Sequence, residues 1–396
     1  MHKIIPLHSL VIAVGPNNET RENLIREVFP EHEIISAPSM CERLVGHQRM
    51  TALGGHLFAE MRRFAELKLK LGSRVIFDAP NLKKSDRLAL AKMGERFGVP
   101  VFYLICDPTG APSFAIDAFE ATQADLRKGD GVAEIIDTRI DTFVPILSRP
   151  SLEQIFSRWS GITVIGDVHG KMQGLLAALS WARRRNHYIV FLGDVIDYGR
   201  DTLAVADEVY RVVTRGEGEI ILGNHERKIM RWIEQRDSGV VRIRIGEGNR
   251  VTIQALQELG AIARSQWEGR FRGLVMLSEP IRRIGNVVFS HAAVHPDYWK
   301  GQTGVEIERW ATLGNYIQDE KGNPQPSTEW VDAIPEGMVS FVGHQCVGDH
   351  PISIKGRRGG QAVFLDTGSG KGGNLSSADL KLTEDGAMRV INYNRH

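Results

Sequence analysis

Cysteine is scarce: Cys41, Cys106 and Cys346 are the only three in 396 residues. They lie far apart and none forms a Cys-x-x-Cys pair. This argues against a disulfide framework or a structural zinc site and favours a reducing compartment. No stretch approaches the roughly 18 uninterrupted apolar residues of a membrane span. The apolar start, 4–14, is interrupted by Pro6 and His8 and is followed by no small-residue cleavage pattern, so it reads as a buried first strand rather than a secretory signal. Net charge is almost absent as well, 49 Lys and Arg opposing 48 Asp and Glu for a formal +1. Bulk charge therefore argues neither for nor against a nucleic-acid partner, and any anionic substrate must be gripped locally. Internal repeats and low-complexity tracts are missing too. What is present is a 42% share of hydrophobic residues, enough for a sizeable core. A soluble cytoplasmic protein with no membrane partner is expected.

The first part of the chain alternates strand and helix. Apolar runs at 10–14, 75–77 and 101–105 predict strands, and helical patterns at 57–71 and 88–97 fill the gaps, as in a parallel sheet covered on both faces. A break at Arg149-Pro150 predicts two domains, 1–150 and 151–396, with a short helix from Ser151 to Trp159 between them. The alternation then restarts, with strands at 162–165, 188–192 and 219–222 and helices at 172–184 and 202–213. An irregular insertion is expected from Asp237 to Gly269. Short strands follow at 281–284, 287–290, 339–342, 362–365 and 388–391. The fold class expected is α/β throughout.

Five of these apolar runs end in residues of metal-ligand type. Thr163-Val164-Ile165 leads into Gly166-Asp167-Val168-His169-Gly170, and Val190-Phe191-Leu192 into Gly193-Asp194-Val195-Ile196-Asp197. Ile220-Ile221-Leu222 leads into Gly223-Asn224-His225-Glu226, a fourth run into His291, and a fifth through Gly343 into His344. In open α/β sheets functional groups gather at the carboxyl ends of strands, so these five ends are expected to meet at one rim. The chemistry suits two divalent ions roughly 3.5–4 Å apart, which clamp a phosphoryl group and activate water for in-line attack. Asp194 is the natural carboxylate to bridge both. Oxygen and imidazole donors without thiolate suit manganese above all, with iron, zinc or nickel as alternatives. The leaving alkoxide needs a proton, which His225 oriented by Asp197 can supply.

The set GDVHG, GDVIDYG, GNHE, His291 and Gly343-His344 resembles the calcineurin-like phosphoprotein-phosphatase superfamily over essentially all of 160–370. The resemblance implies Asp167, His169 and Asp194 on one metal, and Asp194, Asn224, His291 and His344 on the other. Two departures stand out. The family has Asp-Arg-Gly where this chain has Asp197-Tyr198-Gly199, and that arginine contacts phosphate; Arg200 is the candidate substitute. His291-Ala292-Ala293 replaces a glycine-containing triplet.

The N-terminal domain resembles a P-loop kinase of the polynucleotide-kinase type. A strand ends at Gly15-Pro16, and Asp78-Ala79-Pro80-Asn81 approximates the family's D-A-T-N. From Gly15, however, the positions of the second glycine, lysine and hydroxyl residue hold Thr20, Arg21 and Glu22, and the acidic residue expected soon after Ser36 is absent from Ala37-Pro38-Ser39-Met40. A P-loop works because backbone N–H groups cradle phosphates while its lysine neutralises them. A degenerate, inactive kinase fold is expected, with Gly15, Arg21 and Asp78 as its remnant nucleotide site. The alternative is a generic α/β unit serving dimerisation, which would make the protein a homo-oligomer.

A P-loop kinase-like parallel-sheet domain followed by a calcineurin-like α/β metallophosphoesterase sandwich is the order of bacterial and phage polynucleotide kinase-phosphatases, here with no ligase module expected. The resemblance implies removal of terminal 2′-, 3′- or 2′,3′-cyclic phosphates from RNA or DNA, so phosphorylated nucleic-acid ends or nucleotides are the expected partners. Protein Ser/Thr phosphatase or dinucleoside polyphosphate hydrolase activity is the alternative within enzymes. A non-catalytic end-binding protein is the alternative outside them.

Overall fold

A computed structural model describes residues 3–17, 19–46, 54–126, 132–146, 149–318 and 323–396. The chain forms two compact units. The first comprises Met1–Ser148 with two later pieces, Thr214–Gly216 and Gly260–Met276; the second comprises Arg149–Val213, Glu217–Leu259 and Leu277–His396. Among the described residues no helix is long and apolar enough to cross a membrane.

The first unit is built on five parallel strands: β1 (Leu10–Val14), β2 (Ile34–Ser36), β3 (Val75–Asp78), β4 (Val101–Ile105) and β5 (Glu134–Asp137), in the order β2-β3-β1-β4-β5. Successive side chains of a strand point to opposite faces, and β1 shows the consequence. Leu10, Ile12 and Val14 join one core with Leu57, Met61 and Leu69 of helix α2 (Gly54–Lys70), while Val11 and Ala13 join another with Ile25 and Phe29 at and after helix α1 (Glu19–Val28). Burial on both faces explains why these strands read as continuous apolar runs. Helix α3 (Lys84–Arg96) covers the side of α2.

The second unit is a sandwich of two five-stranded sheets. One runs β8-β7-β6-β14-β15, from β6 (Gly161–Ile165), β7 (His187–Phe191), β8 (Gly218–Ile220), β14 (Ser376–Leu382) and β15 (Met388–Arg395). The other runs β9-β10-β11-β13-β12, from β9 (Ile281–Ile284), β10 (Val287–Ser290), β11 (Val339–Val342), β12 (Ile352–Lys355) and β13 (Gln361–Phe364). Ile162, Val164, Tyr188 and Val190 from one sheet meet Val287, Phe289, Phe341 and Val363 from the other in a shared core. Helices α4 (Met172–Arg184) and α5 (Thr202–Thr214) belong to the first sheet's crossovers, and α6 (Asn224–Asp237) follows β8.

One expectation is corrected. The segment 237–269 is irregular only in part: 238–246 has no helix or strand, but helix α7 (Glu247–Glu258) and the start of α8 (Ala261–Leu277) follow. Glycines at 246, 248, 260 and 269 interrupt the pattern there. Gly248 and Gly269 sit inside helices because a β-carbon would overlap the Tyr198 ring and the Phe97 carbonyl respectively. Close packing, not flexibility, selects them.

Candidate active site

Each of the five ligand-bearing loops leaves the carboxyl end of a strand. Asp167 and His169 follow β6, Asp194 and Asp197 follow β7, and Asn224 and His225 open α6 after β8. His291 follows β10 and His344 follows β11, and those two strands are parallel neighbours through the register Val287–Val339. The turns are tight. His169, Asp194, Asp197, Tyr198 and His344 all take positive φ, between 48° and 74°, a region L-residues enter only when their surroundings compel it.

Asp194 is the centre. Its Oδ2 lies 3.9 Å from His169 Nε2, 3.8 Å from His225 Nε2 and 3.2 Å from His291 Nε2. Two groups able to hold a cation share it, His169–Asp194–His225 and Asp194–His291–His344. The imidazoles are aimed by their outer nitrogens. His169 Nδ1 donates to the Ile196 carbonyl at 2.9 Å, and His291 Nδ1 to the Leu192 carbonyl at 2.8 Å, so each turns its Nε2 inward. Asn224 Oδ1 lies 2.9 Å from His291 Nε2 and 2.8 Å from His344 Nδ1. Asp167 accepts the His344 backbone N–H at 3.0 Å, and its Oδ2 is 3.9 Å from His169 Nε2.

Electron-rich atoms therefore crowd together with little to neutralise them, and this is the test of fit for a divalent metal. Burial raises the Asp167 carboxyl well above the ordinary carboxylate range, and Asp366 and Asp194 push it further. Burial opposes charge on Asp194 also, but the imidazoles of His291, His225 and His169 hold its carboxyl well below that range. Burial, with His291 beside it, pushes His344 down to about 4, leaving a neutral ring ready to ligate. The donor set fits divalent cations, with Asp167, His169, Asp194, Asn224, His291 and His344 as the residues that would hold them.

His225 is built differently. Its Nδ1 donates to Asp197 Oδ2 at 2.5 Å, and its backbone N–H donates to Asp194 Oδ1 at 3.0 Å. Burial would lower its pKa, but Asp194 and Asp197 outweigh that and raise it to about 9. Its Nε2 stands 3.8 Å from Asp194 Oδ2, and the ring lines the cleft. The cleft, about 90 Å³, is lined by His169, Asp194, Tyr198, Asn224, His225 and His344 together with Cys346, Asp366 and Lys371.

Several supporting residues escaped the sequence. Asn249 Nδ2 and the Thr252 hydroxyl, both from α7, donate to the two oxygens of Asp197, and the Asp197 N–H donates to Thr202 Oγ1 at 2.9 Å. Glu226 accepts the N–H groups of Asp194 and Val195, both at 2.8 Å, and so fixes the loop that carries the central aspartate. The GNHE motif held the signal for Glu226; nothing local marks Asn249 or Thr252. Tyr316 bonds His344 Nε2 at 2.9 Å. Tyr198, in place of the family's arginine, sets its ring edge-on to His169 with centroids 4.8 Å apart. Arg200 is not brought to the cluster: its side chain is 95% exposed and stands 3.8 Å from Asp201. Lys371 is the cation that lines the cleft instead.

Gly223 shows how little room the loop has. A β-carbon there would overlap Asp194 N, Asp194 Oδ1 and Glu226 Oε2. Gly223→Ala is expected to cost about 1–3 kcal/mol by overpacking and to weaken metal binding together with it. Thermal melts with and without added metal check this, and a variant with unchanged melting and metal uptake would refute the account of the loop.

In the first unit Gly15, Arg21 and Asp78 do come together. Arg21, 1% exposed, donates to the carbonyls of Gly15 at 3.0 Å and Pro16 at 3.1 Å and to Asn17 Oδ1 at 2.6 Å, with Nε 2.9 Å from Asp78 Oδ1. The guanidinium is turned into the loop and the carboxylate, not outward.

Residues 161–332 match the calcineurin-like phosphoesterase family, and residues 21–112 match an AAA domain family. The second half of the chain carries a calcineurin-like metallophosphoesterase domain, and the protein is a metal-dependent hydrolase. Among similar curated proteins is the asymmetrical bis(5′-nucleosyl)-tetraphosphatase PrpE of Geobacillus thermodenitrificans, 25% identical over 232 residues that cover 54% of this chain and 89% of that protein. The same-named protein of Halalkalibacterium halodurans is 24% identical over 54% of this chain and 87% of its own length. Among solved structures, a metallophosphoesterase from Sphaerobacter thermophilus covers 60% of this chain and 89% of its own at 16% identity and a TM-score of 0.35.

Proposed function

We propose that the metallophosphoesterase domain removes terminal 2′-, 3′- or 2′,3′-cyclic phosphates from nucleic-acid ends, using two divalent ions, manganese foremost. The observation that carries this reading is Asp194 Oδ2 lying within 3.9 Å of the Nε2 atoms of His169, His225 and His291, with Asp197 bonded to the other nitrogen of His225. Bound divalent ions supply Lewis acidity and a nucleophilic water at neutral pH. The chain's own residues do the rest. His225 Nε2–H stands where it can protonate a departing alkoxide, and Asp197 balances the charge of the imidazolium before transfer and orients the ring. Lys371 offers the cationic contact that Tyr198 cannot. The order of an AAA-type domain before the phosphoesterase domain supports a nucleic-acid substrate, because polynucleotide kinase-phosphatases share that order. In the N-terminal domain Arg21 is spent on the loop carbonyls and Asp78, which supports a kinase-like unit that does not transfer phosphate.

A second reading, hydrolysis of dinucleoside polyphosphates, is favoured by the names of the curated relatives. The deciding assay offers the manganese-loaded protein a 3′-phosphorylated oligonucleotide, a 2′,3′-cyclic nucleotide, a dinucleoside tetraphosphate, a phosphopeptide and phenyl phosphate. Release from the first two at the highest kcat/KM is expected, with no transfer from labelled ATP to a 5′-hydroxyl end. Preference for the tetraphosphate establishes the second reading, and preference for the phosphopeptide rejects both. Metal uptake without turnover of any substrate would make the protein an end-binding one.

A further inference from the structure

Helix α6 begins at the metal cleft and carries cations away from it. Arg227 and Lys228 lie three and four residues past Asn224, and Arg231 lies one turn beyond Arg227. At 1.5 Å of rise per residue they stand roughly 4.5, 6 and 10 Å from Asn224 along the axis. All three line a groove of about 680 Å³ that adjoins the cleft, with Asn224 in the wall of both. Arg244 adds a fourth cation to the lining. Among the described residues none of these four has an ion-pair partner. Apolar residues line the same groove, Leu222, Ile243, Pro280, Val305 and Leu313, with Val305 83% exposed, although Glu308 also lines it and Arg309 there is tied to Glu306 at 2.7 Å.

Surface cations are normally scattered among carboxylates, whereas four lining one groove concentrate positive potential beside the metal cleft. The lining is both cationic and apolar, and so must be the occupant. We infer that this groove holds the nucleotide adjoining the scissile phosphate of a polynucleotide end, its phosphodiester against Arg227, Lys228, Arg231 and Arg244 and its base and sugar against the apolar residues. The inference rests on the nucleic-acid reading above and gives that site its means of telling a polymer end from a mononucleotide. A dinucleoside tetraphosphate carries both charge and nucleosides and is the competitor the test must include. A phosphopeptide offers no second phosphate once its own is at the metals. Contacts to a backbone phosphate carry no sequence information, so binding is expected to be indifferent to base identity.

The test is binding, separated from turnover. A labelled single-stranded oligonucleotide ending in a 3′-hydroxyl has nothing to hydrolyse, and its anisotropy with the metal-loaded full chain reads the groove alone. The combined variant Arg227→Ala, Arg231→Ala and Arg244→Ala is expected to bind it at least about tenfold more weakly. Its slope of log K against log salt should be shallower by up to about 0.7, for the one phosphodiester the groove neutralises on a single strand. Lysine at the same three positions should restore most of both. Failure of the unaltered protein to bind, or equal affinity and slope in the alanine variant, overturns the inference. So does a dinucleoside tetraphosphate that displaces the oligonucleotide and loses more affinity than the oligonucleotide does in the alanine variant, since the groove would then serve a polyphosphate. Release of phosphate from the 3′-phosphorylated oligonucleotide, relative to phenyl phosphate, is measured alongside. Groove-dependent binding with no such release from any end would sink the function proposed above and leave the groove standing; release equal in both proteins would do the reverse.

Discussion

Asp194→Ala is expected to abolish hydrolysis, lowering kcat/KM by about 10³-fold or more, and to release bound metal. The magnitude follows from what the carboxylate touches. Its Oδ2 is within 3.9 Å of three imidazole Nε2 atoms, and its Oδ1 accepts the His225 N–H. Removing it takes a ligand from both groups at once. Metal-derived stabilisation of a phosphoryl transition state is worth several kcal/mol, and each ~1.36 kcal/mol is tenfold in rate. Asp194→Asn separates charge from shape, since an amide oxygen can still accept the His225 N–H. The fold should survive in it while metal content, measured by elemental analysis after gel filtration, falls. Full metal content with activity within tenfold of the unaltered protein, in both variants, would remove the shared aspartate from the mechanism.

The candidate ligands are legible because the residues that could hold a cation are concentrated in short glycine-flanked strings after apolar runs. Strand and ligand are adjacent in sequence, so locating one locates the other. What holds those ligands in place is less legible. Asn249 and Thr252 reach Asp197 from α7, a segment whose glycines make it read as irregular, and only the tertiary packing of Tyr198 against Gly248 explains a glycine in that helix. Strand β14 was invisible for another reason. Its Ser376-Ser377-Ala378-Asp379 looks like a polar loop, yet those side chains are buried. Asp379 is satisfied by Thr163 Oγ1 at 2.8 Å and Trp181 Nε1 at 2.9 Å, bonds made across two elements far away in sequence. Burial alone would raise the Asp379 carboxyl, but such hydrogen bonds hold it down at about 2. Arg200 illustrates the opposite limit. Two residues of sequence suffice to turn a side chain from a cleft to solvent when the backbone passes through two consecutive left-handed residues, Asp197 and Tyr198.

His225→Ala is expected to lower kcat by about 10²–10⁴-fold, the usual share of general acid catalysis, while metal content stays intact. The size of the loss should depend on the leaving group. An aryl phosphate departs as a weakly basic phenolate and needs little protonation, whereas a sugar alkoxide needs it fully, so the defect should be much larger on a 3′-phosphorylated end than on phenyl phosphate. The pH profile supplies an independent readout. The proposed general-acid step needs His225 protonated, and Asp194 and Asp197 raise its pKa from about 6.5 to about 9 in the metal-free protein; bound cations beside Asp194 would oppose that rise. Activity should therefore fall with increasing pH on a limb at or below about 9, and that limb should vanish in His225→Ala. Asp197→Asn should move it to lower pH, because the carboxylate that favours the imidazolium is gone. The same shift sets a stability signature for the metal-free protein. A histidine whose folded pKa exceeds its unfolded one contributes stability that is fully present below about 6.5 and is lost as pH rises towards 9. Denaturant midpoints of the metal-free protein should show that loss, and His225→Ala should flatten it. An unchanged alkaline limb in His225→Ala, or equal defects on aryl and sugar leaving groups, would assign the proton to another donor.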